Sequence, residues 1–244
     1  MTRFTTVLAL AVSTYLSGTG IRLLGGEQKG GEVMKLHPDV QRYVSDRVAE
    51  FDRIPLERKE ELGKLVSYIK GRVSAGQPVR LTFVCTHNSR RSQMAQVWAA
   101  VAAAHYRIPR VETYSGGTET TALNPRAVTA LEQAGLRITK ASAAENPVYS
   151  VQFAEGAAPL ICFSKLYGDS PNPSSDFCAL MTCSHADQTC PQVIGAATRI
   201  AIPYGDPKEF DGTSDEAAMY AERSAQIARE MLYAFSCLSK QADT

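Results

Sequence analysis

An excess of charge of either sign is missing from this 244-residue chain. Lysine and arginine number 26 against 25 aspartates and glutamates, a formal net charge of +1. No global field therefore draws the protein to nucleic acid or to a membrane surface, and any anion binding must be local. Long apolar runs are missing too. The stretch from Phe4 to Leu16 is broken by Thr5, Thr6, Ser13 and Thr14, and is too short and too polar to cross a bilayer. Cysteine is sparse: Cys85, Cys162, Cys178, Cys183, Cys190 and Cys237 are too few and too unevenly placed for a disulfide scaffold. Such clustering points to catalysis, redox chemistry or metal binding. There is no internal repeat and no low-complexity segment. What is present is an ordinary globular composition, 44% hydrophobic and 21% charged, in a length that suits one good-sized domain with an appendage.

Residues 1–33 read as a leader or a wrongly assigned or disordered segment. Arg3 followed by a short apolar stretch is signal-like. Gly30-Gly-Glu-Val-Met34 would be encoded by purine-rich codons ahead of a methionine, which makes Met34 the expected start and the cytoplasm the expected location.

Residues 34–77 read as an N-terminal helical hairpin. Val40, Tyr43, Val44, Val48 and Phe51 recur at three- and four-residue steps, and after Pro55 a second stripe follows at Leu62, Leu65, Val66 and Ile69. Packing onto the main domain or onto a partner accounts for such stripes without any chemistry. From Pro78 the signals alternate, and residues 78–244 read as the main domain. Val79–Val84, Val111–Ser115, Leu160–Phe163 and Ala197–Ile202 read as four strands. Ser92–Tyr106, a segment opened by Asn124-Pro125 and stopped by Gly135, and Asp215–Leu238 read as helices. This alternation predicts an α/β fold, a four-stranded parallel sheet with helices on both faces, with ligands beyond the carboxyl ends of the strands.

Cys85 sits where the first strand ends, Arg91 lies six residues on, and Ser92 opens a helix. A loop that wraps into a helix N-terminus points several backbone N–H groups at one spot and adds the positive end of the helix dipole. A tetrahedral oxyanion fits that cup, and the same field favours the thiolate form of Cys85, the nucleophile. Arg91 can grip two oxygens with its planar fork. Asn88 tolerates the left-handed backbone that a tight loop needs, and Ser92 can cap the helix or donate to the thiolate. The loop is thus Cys85 with Thr86, His87, Asn88, Ser89, Arg90, Arg91 and Ser92.

The run Phe83-Val-Cys-Thr-His-Asn-Ser-Arg-Arg-Ser-Gln-Met-Ala95 resembles the low-molecular-weight protein tyrosine phosphatase superfamily, which includes thioredoxin- and mycothiol-coupled arsenate reductases. The resemblance spans roughly Val79 to the C-terminus, with Ser115-Gly-Gly-Thr118, Asn124-Pro125 and Asp206-Pro207 matching in order. It implies that Asp206 is the general acid, although Gly-Asp-Pro read alone is a turn. It also implies that Cys183 and Cys190, the latter followed by Pro191, form a redox relay regenerated by thioredoxin or a similar dithiol protein. Ser184–Thr189 would then have to rearrange between two disulfides. Two departures stand out. Residues 145–180 are longer than the family usually has, and Arg90 replaces a smaller residue and is expected to face solvent.

Other readings of the cysteines compete. Cys178, Cys183, His185 and Cys190 are of the right types for zinc, yet their spacing matches no familiar finger, and no metal or other cofactor is expected. They could also be small buried apolar residues, as Cys162 and Cys237 are expected to be. His87 and His185 read as local hydrogen-bonding residues, and Trp98, Phe153 and Phe163 as core. The expected substrate is arsenate or a phosphate monoester. Thr86 and His87 ahead of Asn88, with Lys208-Glu209-Phe210 where the phosphatases carry two tyrosines, favour arsenate reduction. Phosphotyrosine hydrolysis is the second reading. A non-catalytic oxyanion-binding sensor acting through the hairpin is a third, but pure binding needs neither a thiolate nor an acid.

Overall fold

The computed structural model describes residues 34–190 and 192–239. The expectations for residues 1–33, including the choice of Met34 as the start, lie outside these.

Lys35–Leu36 forms a short strand, β1, and α1 follows over Pro38–Val48. Pro38 at the first helical position and Asp39 in the first turn are what a helix opening requires. A 3-10 turn at Phe51–Arg53 leads into α2, Leu56–Ser74, whose buried positions Leu62, Leu65 and Ile69 form one stripe. Each of these three contributes about 1.5–3 kcal/mol relative to exposure. The two predicted N-terminal helices are present, and each packs on the terminal helix described below. Tyr43 of α1 also stacks on Trp98, with ring centroids 5.1 Å apart.

The chain then runs through β2 (Val79–Cys85), α3 (Arg91–His105), β3 (Val111–Gly117), α4 (Pro125–Gln133), β4 (Arg137–Lys140), β5 (Tyr149–Gln152), β6 (Ala154–Glu155) and β7 (Leu160–Cys162). It continues with β8 (Phe177–Met181), α5 (Ser184–Thr189), β9 (Ala196–Ala201), a 3-10 turn at Pro207–Phe210 and α6 (Glu216–Ser239). The main sheet is four-stranded and parallel, in the order β3-β2-β8-β9, as the alternation predicted. One strand was misplaced by the sequence. The third member is Phe177–Met181, whereas Leu160–Cys162 is an outer strand of a separate antiparallel sheet, β4-β5-β7.

Side-chain alternation along the central strands divides the core in two. Leu81, Phe83, Cys178 and Leu180 point into a large apolar layer with α1, α2, α3, α4 and α6. Val84, Phe177, Ala179 and Met181 belong to a smaller cluster with Cys183, Ala186 and Val193, capped by α5. Helix α3 runs through the larger layer and is buried on almost every side, which its alanine-rich sequence permits by letting neighbours approach closely. Cys162 and Cys178 are fully buried, and desolvation pushes each thiol up to about 12, consistent with inert core residues. Among the described residues no helix is long and apolar enough to cross a membrane.

Candidate active site

Strand β2 ends at Cys85 and α3 begins at Arg91, so the intervening loop lies at the carboxyl edge of the parallel sheet. Asn88 sits at φ 47°, in the left-handed region that asparagine tolerates better than most residues.

The loop's carbonyl groups all find donors outside the cup. Thr118 N–H donates to Cys85 O at 3.2 Å, Glu119 N–H to Thr86 O at 2.8 Å, and Asn124 N–H to Ser89 O at 2.9 Å. Ser164 Oγ donates to His87 O at 2.9 Å, and Gln93 Nε2 to Asn88 O at 3.1 Å. Among the described residues, no backbone N–H from His87 to Ser92 donates to another protein group. With the carbonyls held outward, these N–H groups are free for an anion, the arrangement of an oxyanion cradle.

The side chains extend the same logic. Lys165 N–H donates to Asn88 Oδ1 at 3.0 Å, which fixes the amide so that Nδ2 donates to Ser92 Oγ at 2.8 Å. Ser92 Oγ in turn lies 3.1 Å from Cys85 Sγ. A thiolate can only accept, so the Ser92 proton would then point at sulfur. Arg91 donates through Nη2 to Asp206 Oδ2 at 2.6 Å and through Nη1 to Tyr204 O at 3.1 Å. Asp206 heads the 3-10 turn, its Oδ1 accepting from Lys208 N–H at 3.1 Å. The cup enclosed by Cys85, His87, Ser89, Arg90, Arg91 and Asp206 is small, about 10 Å³ while Asp206 occupies the Arg91 fork.

Beside it opens a cleft of about 310 Å³ with His87, Ser89, Arg90, Thr121, Asn124 and Lys208 on its walls. Among the described residues no Phe, Tyr or Trp lines this cleft, and Ala122, Leu123 and Pro125 form its apolar wall. Tyr204, two residues before Asp206, is buried with the Arg58 guanidinium 4.8 Å over its ring and does not line the cleft.

The cysteines sort by sheet face. Cys183 Sγ lies 3.5 Å from Thr86 Oγ1 and accepts from Ala186 N–H at 3.3 Å, capping α5, while Cys190 closes the other end of that helix. Cys178 belongs to the opposite core layer, so the four side chains considered for zinc are not gathered. His185 is exposed, and His87 faces Glu119 at 3.4 Å.

Two features escaped the sequence. Arg90 does not face solvent: its side chain is only 12% exposed, and Nε donates to Tyr220 Oη at 2.8 Å. The segment Phe163–Lys165, inside the stretch that looked inserted, braces the loop through Ser164 and Lys165, and Asn146 Nδ2 holds Ser164 O at 2.7 Å. Contacts between residues so far apart in sequence leave no spacing to read. Gly117 offered a better signal. A side chain there would meet Glu119 O at 2.2 Å and Thr86 O at 2.6 Å, so only glycine lets the loop approach β3 this closely. Gly117→Ala is expected to lower the melting temperature. It should also weaken binding of inorganic phosphate by at least about tenfold, a change of ~1.4 kcal/mol in a calorimetric titration. Unchanged affinity would mean that the loop does not depend on this approach.

The chain is similar to several known proteins. Residues 80–153 match the family model for low molecular weight phosphotyrosine protein phosphatase. An arsenate reductase of Shouchella clausii (strain KSM-K16) is 30% identical over 141 residues, covering 58% of this chain and 83% of the relative. An arsenate reductase of Bacillus cereus (strain 03BB102) is 27% identical over 150 residues, covering 59% of this chain and 92% of the relative. Among solved structures, a low molecular weight phosphotyrosine phosphatase of Vibrio choleraeO395 aligns with a TM-score of 0.42 at 14% identity, over 68% of this chain and 99% of that one.

Proposed function

The chain belongs to the low molecular weight phosphotyrosine protein phosphatase family, and from that premise we propose that it is an arsenate reductase working through Cys85 and a Cys183–Cys190 relay. The observation that carries this reading is the seat of Cys183, within 3.5 Å of a side chain of the oxyanion loop and on the same sheet face as Cys85. A phosphatase has no need of a second thiol there.

The Cys85 thiolate attacks the pentavalent arsenic, one As–O bond breaks, and the departing oxygen takes a proton from Asp206 and leaves as water. Arg91 and the loop N–H groups hold the remaining oxygens. The Cys183 thiolate then attacks Cys85 sulfur. A Cys85–Cys183 disulfide forms, and the S–As electron pair stays on arsenic, which departs as trivalent arsenite. Cys190 attacks Cys183 and releases Cys85, and a dithiol protein such as thioredoxin reduces the resulting Cys183–Cys190 disulfide. The last internal step has a geometric requirement. The two cysteines cap opposite ends of α5, and seven residues of helix separate Cα atoms by about 10 Å. A disulfide spans at most about 7 Å between Cα atoms, so α5 must unwind as the bond forms. A relay kept reduced by a dithiol protein suits a reducing compartment such as the cytoplasm.

Phosphotyrosine hydrolysis is the second reading, because it needs only Cys85, Arg91 and Asp206. The cleft beside the cup offers Ala122, Leu123 and Pro125 as apolar wall but no Phe, Tyr or Trp to stack on a phenyl group. A paired assay on the purified protein tests the two. Arsenate with thioredoxin, thioredoxin reductase and NADPH is expected to give sustained turnover, with p-nitrophenyl phosphate a slower side reaction. Aryl phosphate turnover with inert arsenate would put the phosphatase reading first.

A further inference from the structure

Two neighbouring residues of the oxyanion loop hold the two ends of one turn. Arg91 binds Asp206, which begins the 3-10 turn, at 2.6 Å. Arg90 reaches the residue that ends it, Asp211, through a relay of two hydrogen bonds. Arg90 Nε donates to Tyr220 Oη at 2.8 Å, and Tyr220 Oη donates to Asp211 Oδ1 at 2.8 Å. The direction of this chain follows from chemistry: guanidinium can only donate, carboxylate can only accept, and the phenol has one proton to pass on. The Arg90 guanidinium also lies 4.0 Å from Asp211 Oδ2, too far for a hydrogen bond but close enough for attraction in a half-buried setting. Tyr220 is 1% exposed, and desolvation pushes its phenol up to about 12, so the proton stays in place over the working pH range. Arg126 approaches the same carboxylate at only 3.9 Å and is chiefly engaged by Glu216 at 2.7 Å.

The two holds differ in what substrate does to them. An oxyanion in the cup competes for the Arg91 fork, since both ligands are anions presenting oxygen to the same N–H groups. Once it binds, Asp206 loses its strongest partner. Its Oδ1 bond to Lys208 N–H is internal to the turn and cannot fix the turn in space. Arg91 Nη1 also holds Tyr204 O, two residues ahead of the turn, but among the described residues the turn itself is then tied to the loop by side-chain hydrogen bonds at its far end, through Asp211.

We propose that Arg90, Tyr220 and Asp211 act as positioning residues which keep Asp206 over the leaving oxygen after substrate has displaced it from Arg91. The inference rests on the reading of Asp206 as general acid. Tyr220 and Asp211 do not line the cup, and the Arg90 side chain acts through Tyr220, so the work of the tether is done in the loaded site without touching the reacting atoms.

Leaving-group dependence separates this role from a merely structural one. p-Nitrophenolate departs well without a proton, whereas phenolate departs poorly, so a misplaced acid slows phenyl phosphate much more than p-nitrophenyl phosphate. Tyr220→Phe keeps the ring and removes the link. It is expected to cost about tenfold in kcat on phenyl phosphate and less than about twofold on p-nitrophenyl phosphate, a fraction of the ~100- to 10,000-fold that a placed acid supplies. Asp211→Asn, a second route to the same break, should show the same selectivity, and the double variant should lose no more than either alone. Asp206→Asn is the control. If it is selective for the poor leaving group and both tether variants slow the two esters equally or not at all, the tether has no positioning role. If Asp206→Asn is itself unselective, or the wild type hydrolyses neither ester, the reading of the acid fails and the proposal with it.

Discussion

Cys85→Ser is expected to lower turnover of arsenate and of p-nitrophenyl phosphate by at least about 10⁴-fold, the scale on which removal of an enzyme nucleophile acts. The hydroxyl is close to the thiol in volume and can keep the contact with Ser92, now 3.1 Å from sulfur. It stays protonated at neutral pH, however, and a hydroxyl is a far poorer nucleophile than a thiolate. The cup itself is built from backbone and Arg91, so inorganic phosphate should still bind with affinity near that of the wild type. The expected signature is therefore intact binding and melting temperature with turnover absent. Residual activity near the wild-type level in either assay would show that Cys85 is not the nucleophile.

The loop was legible because its message is local. A β-branched run, a cysteine, an arginine six residues on and the start of a helix lie within a dozen residues, and Asn88 stands where the left-handed φ falls. The strands β2, β3 and β9 were legible for similar reasons. Strand β8 was not. Phe177-Cys-Ala-Leu-Met181 is buried on both faces, so it shows no alternation, and Ala, Cys and Met carry little β signal. Leu160–Cys162 drew the assignment because its neighbours looked more strand-like, yet it lies in the antiparallel sheet with Ile161 facing solvent. What was least legible is the outer support of the cup. Ser164 and Lys165 lie 77 residues from the loop atoms they hold, and Tyr220 lies 130 residues from Arg90. Such pairs depend on which helix packs where, and no spacing in the chain encodes them. The same limit explains Arg90: a second arginine at a loop end reads as a solvated charge until the fold supplies Tyr220 and Asp211 as partners.

Cys183→Ser is expected to stop arsenate turnover after the first chemical step, with p-nitrophenyl phosphate hydrolysis kept within about twofold. The two reactions diverge at the covalent intermediate. A phosphocysteine is resolved by water, with no change of oxidation state, so Cys85, Arg91 and Asp206 suffice. Arsenic must gain two electrons, and only a second thiolate attacking the Cys85 sulfur can deliver them within the protein. Cys183 Sγ lies 3.5 Å from the Thr86 hydroxyl, next to Cys85 in the chain, while Cys190 closes the far end of α5. Cys190→Ser should therefore behave differently from Cys183→Ser: it should permit one round of arsenite release and then stall as a Cys85–Cys183 disulfide. Mass spectrometry after a single arsenate turnover resolves the three cases. The wild type should lose the mass of about two hydrogens through a Cys183–Cys190 bond, the Cys190 variant the same mass through a Cys85–Cys183 bond, and the Cys183 variant none. Unwinding of α5 gives an independent handle, since amides of Ser184–Thr189 should exchange faster in the oxidised wild type than in the reduced protein. If both serine variants reduce arsenate as fast as the wild type, the relay does not exist, and the thiol that resolves the Cys85 intermediate comes from outside the protein.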